Sequence, residues 1–203
     1  MKAAVSKEVT HEKMTCTIAA LALLAYAGAV PAQSIKQPPQ HNITETLDSW
    51  ITHGETLVVG VADAMPADNY SFAPPKSFAD FNGVRTFGEQ LKHLSANNYR
   101  MAALSLGEKP TAEMQNETGP DSAKTKAEIT DYVTGSFVVL HKAVATIDAQ
   151  NAARAIASPS SWQKNRLSFA VDAVAHDMDH YGQLVEYLRM NGIVPPDSRP
   201  KKP

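Results

Sequence analysis

The stretch from Ser161 to Asn191 carries apolar residues on two separate sides of one helix, and that doubling constrains the fold more than any other feature. At about 100° per residue, Leu167, Val171, Val174, Met178, Tyr181, Val185 and Leu188 line up as one seam. Phe169, Ala173, His176, His180, Leu184 and Tyr187 form a second, with Asp172, Asp179, Gln183 and Glu186 in the gap. A helix on the surface of a globule shows a single apolar stripe, so this one is expected to be heavily covered by neighbours. Its end is well marked. Arg189 lies in the last turn, Asn191-Gly192 tolerate the left-handed conformation, Ile193 supplies a hydrophobic contact and Pro195-Pro196 forbid continuation.

Three further segments share the helical period. Ile43–Met65 opens on Asn42-x-x-Glu45, an N-cap with its reciprocal acid. It repeats Ile43, Leu47, Trp50/Ile51, Leu57/Val58, Val61 and Met65 before Pro66. Thr86–Leu106 carries Phe87, Leu91, Leu94 and Met101 on one stripe and is followed by Gly107, a C-cap candidate. Lys126–Asp148 starts from Thr125-x-x-Glu128 and shows Ile129, Tyr132/Val133, Phe137, Leu140, Val144 and Ile147. Residues 66–85 read as an ordered loop, and a short link with Pro159 precedes the last helix. The polar connection 107–124 is long, which suggests a crossover or a loop at the mouth of a site. There is no strand-like alternation and no internal repeat. The expected fold is all-α, one four-helix bundle over residues 42–196, with an extended leader at 33–41 and a polar tail at 197–203.

The N-terminus reads as a segment apart from this bundle. Lys2, Lys7 and Lys13 precede an uncharged apolar run, Ile18–Val30, that ends in Val30-Pro31-Ala32. This is the layout of a signal peptide cleaved after Ala32, with Met14 as an alternative start. The run covers 13 residues where a membrane span needs about 20, so no stable membrane span is expected after cleavage. Export to the periplasm or the extracellular space follows. Cleavage removes His11 and the only cysteine, Cys16, leaving six histidines and no thiol for a disulfide or a nucleophile. With 19 basic against 21 acidic residues, the chain lacks the basic excess a nucleic-acid binder needs.

The histidines carry the chemistry. His176 and His180 stand one turn apart in the second seam of the last helix, where two imidazoles reach one cation at about 2.0–2.1 Å each. An H-x-x-x-H pair alone is short enough to be two ordinary half-buried side chains. His93 supplies the third candidate: it flanks the Phe87–Leu91–Leu94 stripe on the Gln90/Asn97 side, and bundle sites are built from inward side chains on facing helices. Three neutral imidazoles without a fourth protein ligand leave positions for water or substrate, the open arrangement of a catalytic metal. Such an ion acidifies water or polarises a substrate oxygen or thiolate. Asp172, one turn before His176, is a candidate outer partner or fourth ligand. Asp177 and Asp179 read as a solvated face, with a hydrogen bond to a ligand ring N–H as the alternative. His41, His53 and His141 have no partner at metal spacing, and Met101, Met178 and Trp50 read as core. No Gly-rich phosphate loop, G-x-S-x-G elbow or H-E-x-x-H motif is present.

Three stretches together resemble the DinB / YfiT-like superfamily of bacterial proteins. They are Met65-Pro66-x-x-Tyr70-x-Phe72-x-Pro74, Arg85-x-Phe87-Gly88-Glu89-Gln90-Leu91-x-His93, and the run from His176-x-x-x-His180-Tyr181-Gly182-Gln183-Leu184 to Pro195-Pro196. The resemblance covers about Asn42 to Pro196. It implies a four-helix bundle holding a divalent metal, Zn²⁺ or Ni²⁺, on one histidine of the second helix and two of the fourth, here His93, His176 and His180. Many members have no assigned reaction, so the resemblance leaves open whether the chain is an enzyme and on which small-molecule substrate; dimers are common in the family, which allows a homodimer. Characterised relatives include thiol-dependent S-transferases and a mycothiol-dependent isomerase. Small thiols serve mainly in the cytosol, so export favours a metal-dependent hydrolase or a non-catalytic metal-binding bundle at least as well.

Overall fold

The computed structural model describes residues 41–77, 80–158 and 161–200; the expected signal peptide and nearly all of the leader lie outside them. Among the described residues there are five α-helices and no strand. They are α1 (Ile43–Ala64), α2 (Phe87–Leu106), a one-turn α3 (Ala112–Gln115), α4 (Lys126–Val144) and α5 (Arg166–Met190). None is long and apolar enough to cross a membrane.

Local chemistry sets the ends. Asn42, Thr86, Thr125 and Asn165 each accept from the backbone N–H three residues on, and Glu45, Glu89, Glu128 and Ser168 reach back to the cap. Two boundaries differ from the sequence reading. The last helix starts at Arg166 rather than Ser161, because the Asn165/Ser168 box opens it and residues up to Asn165 are drawn into an isolated bridge with Ala155. The third long helix stops at Val144 rather than Asp148, whose carboxylate turns the chain by accepting from Gln150 N (2.9 Å) and Asn151 N (2.8 Å).

The four long helices make one bundle in which α1 packs on α4 and α5, and α2 also packs on α4 and α5. Side-chain pairs give the directions. Thr44 bonds Ile147 O and Lys126 bonds Met65 O, so α1 and α4 are antiparallel. Gly88 lies against Ile129 and Asn98 bonds Ser136, so α2 and α4 are parallel. Two parallel neighbours cannot be joined by a hairpin: the chain after α2 must travel back the length of the bundle before α4 begins. That return path is 107–124, the expected crossover. The core holds Phe87, Leu91, Leu94, Phe137, Leu140, Phe169, Leu184 and Leu188 at its centre.

The seams behave unequally. On α5 the Phe169, Ala173, His180, Leu184 and Tyr187 side is buried, whereas on the other only Leu188 is buried and Val171 is 53% exposed. α5 is therefore covered deeply on one side only. Trp50, expected in the core, is likewise 53% exposed, because its neighbour Ile51 takes the inward position. Asp177, expected on a solvated face, is 1% exposed. It points between α2, α4 and α1, taking the side-chain amide of Asn98 at 3.4 Å, with Gly54 of α1 small enough to admit it.

Candidate metal centre

Helices α2 and α5 run antiparallel and, beside the apolar residues they share in the core, are bridged by polar side chains. Ascending α2, partners on α5 descend. Tyr187 donates its hydroxyl to Arg85 O (2.9 Å), Gln90 donates to Gln183 Oε1 (2.6 Å), and Asn98 donates to Asp177. His93 falls opposite His176 and His180 in this ladder. The helical repeat places His93 on the face of Gln90 and Asn97, and both of those are buried.

The three imidazoles converge. Their ring centroids are 4.9 Å (His93–His180), 5.1 Å (His93–His176) and 4.4 Å (His176–His180) apart. One ligand nitrogen from each lies within 4.8 Å of the others, so the set could hold a metal ion. The Nε2 atoms of His176 and His180 are 3.2 Å apart. Two nitrogens at about 2.05 Å from a tetrahedral ion stand about 3.3 Å apart, so this pair fits a shared ion. Among the described residues no carboxylate joins the three.

His93 is oriented by the crossover. Its Nδ1 lies 2.6 Å from Glu117 O. A carbonyl only accepts, so Nδ1 carries the proton and Nε2 keeps its lone pair for the site. Locking a ligand ring through its other nitrogen is how proteins fix the tautomer of metal-binding histidines. Glu117 is held there because Gly119, at φ +71, lies directly on α2: a Cβ on it would come within 2.8 Å of Lys92 Cβ. Lys92 also donates to Pro120 O at 3.3 Å.

The electrostatics keep the rings neutral. Burial, followed by the neighbouring histidines and by Arg100 and Arg85, pushes His176 down to about 3. Burial and His93 push His180 down to about 4 against the opposing pull of Asp179. His93 is lowered as well, by burial that outweighs its bond to Glu117. An imidazole must be neutral to ligate a cation, and burial pushes all three towards that form. The Nδ1 atoms of His176 and His180 are buried without a hydrogen-bond partner.

The family model for the DinB superfamily matches residues 51–184. The chain belongs to the DinB superfamily. The matched stretch of this DinB-superfamily bundle runs from α1 into α5 and includes all three histidines. No curated protein matches the chain.

Of the residues weighed from the sequence, His93, His176 and His180 are brought together and Asp172 is not with them. Its carboxylate accepts from Gln163 at 2.6 Å, and burial raises its pKa. Asp179 takes the Gln183 amide at 3.0 Å. His141 sits on the side of α4 that faces α1, between Asp48 (2.6 Å) and Glu55 (3.2 Å). Two participants escaped the sequence reading. The Glu117 carbonyl has no side-chain signature, although Gly119-Pro120 in a polar crossover marks a turn. Arg100 had a usable signal, since it stands seven residues after His93 and so returns to the same face of α2.

Proposed function

We propose that this protein is an exported metal-dependent enzyme of hydrolytic type, with His93, His176 and His180 holding a divalent ion, Zn²⁺ or Ni²⁺. The convergence of three neutral imidazole nitrogens, with no fourth protein ligand beside them among the described residues, supports this reading above any other observation. A bound divalent ion would supply a Lewis acid that brings the pKa of water towards neutrality and polarises a substrate carbonyl. The protein contributes the rest. The Glu117 carbonyl holds His93 in the ligating tautomer, burial keeps protons off His176 and His180, and Arg85 and Arg100 add positive charge that favours a developing oxyanion. The signal-like N-terminus, and a described region without cysteine, favour hydrolysis over transfer to a small cytosolic thiol.

The test has two stages. Elemental analysis of wild type beside His176→Ala should find about one divalent ion per wild-type chain and little in the variant; equal content removes the metal assignment. Metal-loaded protein is then offered esters, amides and thiol conjugates. Turnover of esters or amides that chelation abolishes supports the proposal. Turnover that requires an added thiol would make it a transferase, and none at all would make it a binding module.

A further inference from the structure

Arg100 is a half-buried cation with no anion assigned to it. Among the described residues no carboxylate lies within ion-pairing distance of its guanidinium. Its Nη2 donates to Asn97 Oδ1 at 2.7 Å, while its Nε is buried and unpartnered. Asp172, the nearest acid by its influence, gives its oxygen to Gln163 instead. Partly desolvating a cation without a counter-charge is costly, and Arg is the side chain whose planar fork suits a carboxylate. The bond to Asn97 bends the guanidinium back along α2, one turn nearer His93, and its field reaches both His93 and His176.

On its other side Arg100 borders a cavity of about 790 Å³, within the range of small-molecule sites. Met101, Leu104, Pro110 and Ala157 give it apolar walls, beside a polar lining that includes Glu108, Lys109 and Gln115. From Arg100 to Gly107 the cavity follows α2 for about 10 Å at 1.5 Å per residue, comparable with an extended eight-carbon chain. Along α2, His93, Arg100 and the cavity thus follow one another in that order, while His176 and His180 stand on α5 opposite His93.

We propose that the cavity is an acyl pocket for a medium-chain carboxylate, the product that hydrolysis of a medium-chain ester or amide would leave, with the chain between Met101, Leu104, Pro110 and Ala157 and the carboxylate against Arg100, at the end of the cavity nearer His93 along α2. A monoanion suits the guanidinium, since the Lys109 cation in the lining is matched by the Glu108 carboxylate. This rests on the metal-centre reading above, and it names the substrate class of that same site.

Calorimetric titration of the metal-loaded protein with octanoate, octanamide and acetate tests it. Octanoate should bind at least ten-fold more tightly than either of the others. Arg100→Gln should lose at least ten-fold in octanoate affinity at unchanged metal content. Ala157→Trp, a change at an exposed position that fills the cavity, should lose octanoate while leaving metal content and melting temperature alone. Octanoate bound equally by wild type and both variants overturns the pocket, and so does acetate bound as tightly as octanoate, which would mean direct ligation of the ion. Because the readout is binding, an inactive protein that takes octanoate through Arg100 overturns the hydrolytic reading alone. An active one indifferent to chain length, whose octanoate binding Arg100→Gln leaves unmoved, overturns the acyl pocket alone.

Discussion

Gly119→Ala is the sharpest probe of how the crossover serves the metal centre. The added Cβ meets Lys92 Cβ at 2.8 Å and Lys92 O at 3.0 Å, and the backbone there is at φ +71. The left-handed conformation costs a residue with a Cβ about 1–2 kcal/mol. The second contact is with helix backbone, which has no rotamer to change, so the turn must lift from α2. Lifting it draws Glu117 O away from His93 Nδ1, and loss of such an orienting bond typically lowers metal affinity by about 10–100-fold. Gly107→Ala is the matched control: φ is +78, yet nothing lies within 4 Å of the added Cβ. Competition titration with a metal-indicator dye, alongside thermal melting, separates the two. Both variants should melt about 2–8 °C lower, taking 2–4 °C per kcal/mol for a chain of this size, but only Gly119→Ala should lose metal affinity. If both hold metal as wild type does, the crossover is packing and not support for His93.

Two further outcomes follow from the buried ionisable groups. Protons compete for ordinary histidines near pH 6.5, whereas burial holds His176 to about 3 and His180 to about 4. Metal content after dialysis should therefore stay level from pH 7.5 to 5.5 and fall only in more acidic buffer; half-loss near pH 6.5 would contradict the burial argument. Asp177 is raised well above the usual carboxylate range by burial, which its bond from Asn98 only partly offsets. Above pH 3.8 the unfolded chain releases this proton while the folded protein keeps it, so Asp177 makes stability decline as pH rises towards its folded pKa. Asp177→Asn keeps the shape and removes that decline. Urea unfolding of both proteins at pH 5 and pH 8 should show the variant gaining on wild type at the higher pH, and an equal pH response in the two would refute the buried-acid reading.

The sequence by itself determined the number of long helices, most of their ends and which histidines share a face. These are local properties: an Asn or Thr cap with its partner three residues on, a glycine after Leu106, and two histidines four apart are settled within one or two turns. It also placed His93 on the side of α2 that turns out to face α5, because Gln90 and Asn97 share that side. The tertiary structure alone decided what those faces meet. Val171 and Trp50 have the right period for burial, yet no helix among the described residues covers them, while Asp177 looks solvent-facing until Gly54 and Asn98 enclose it. Periodicity fixes directions around one helix axis, not the distance to the next. The same reason hid the Glu117 carbonyl: a backbone acceptor has no sequence signature, and it reaches His93 only because α2 and α4 run parallel and the chain between them must return across the metal centre.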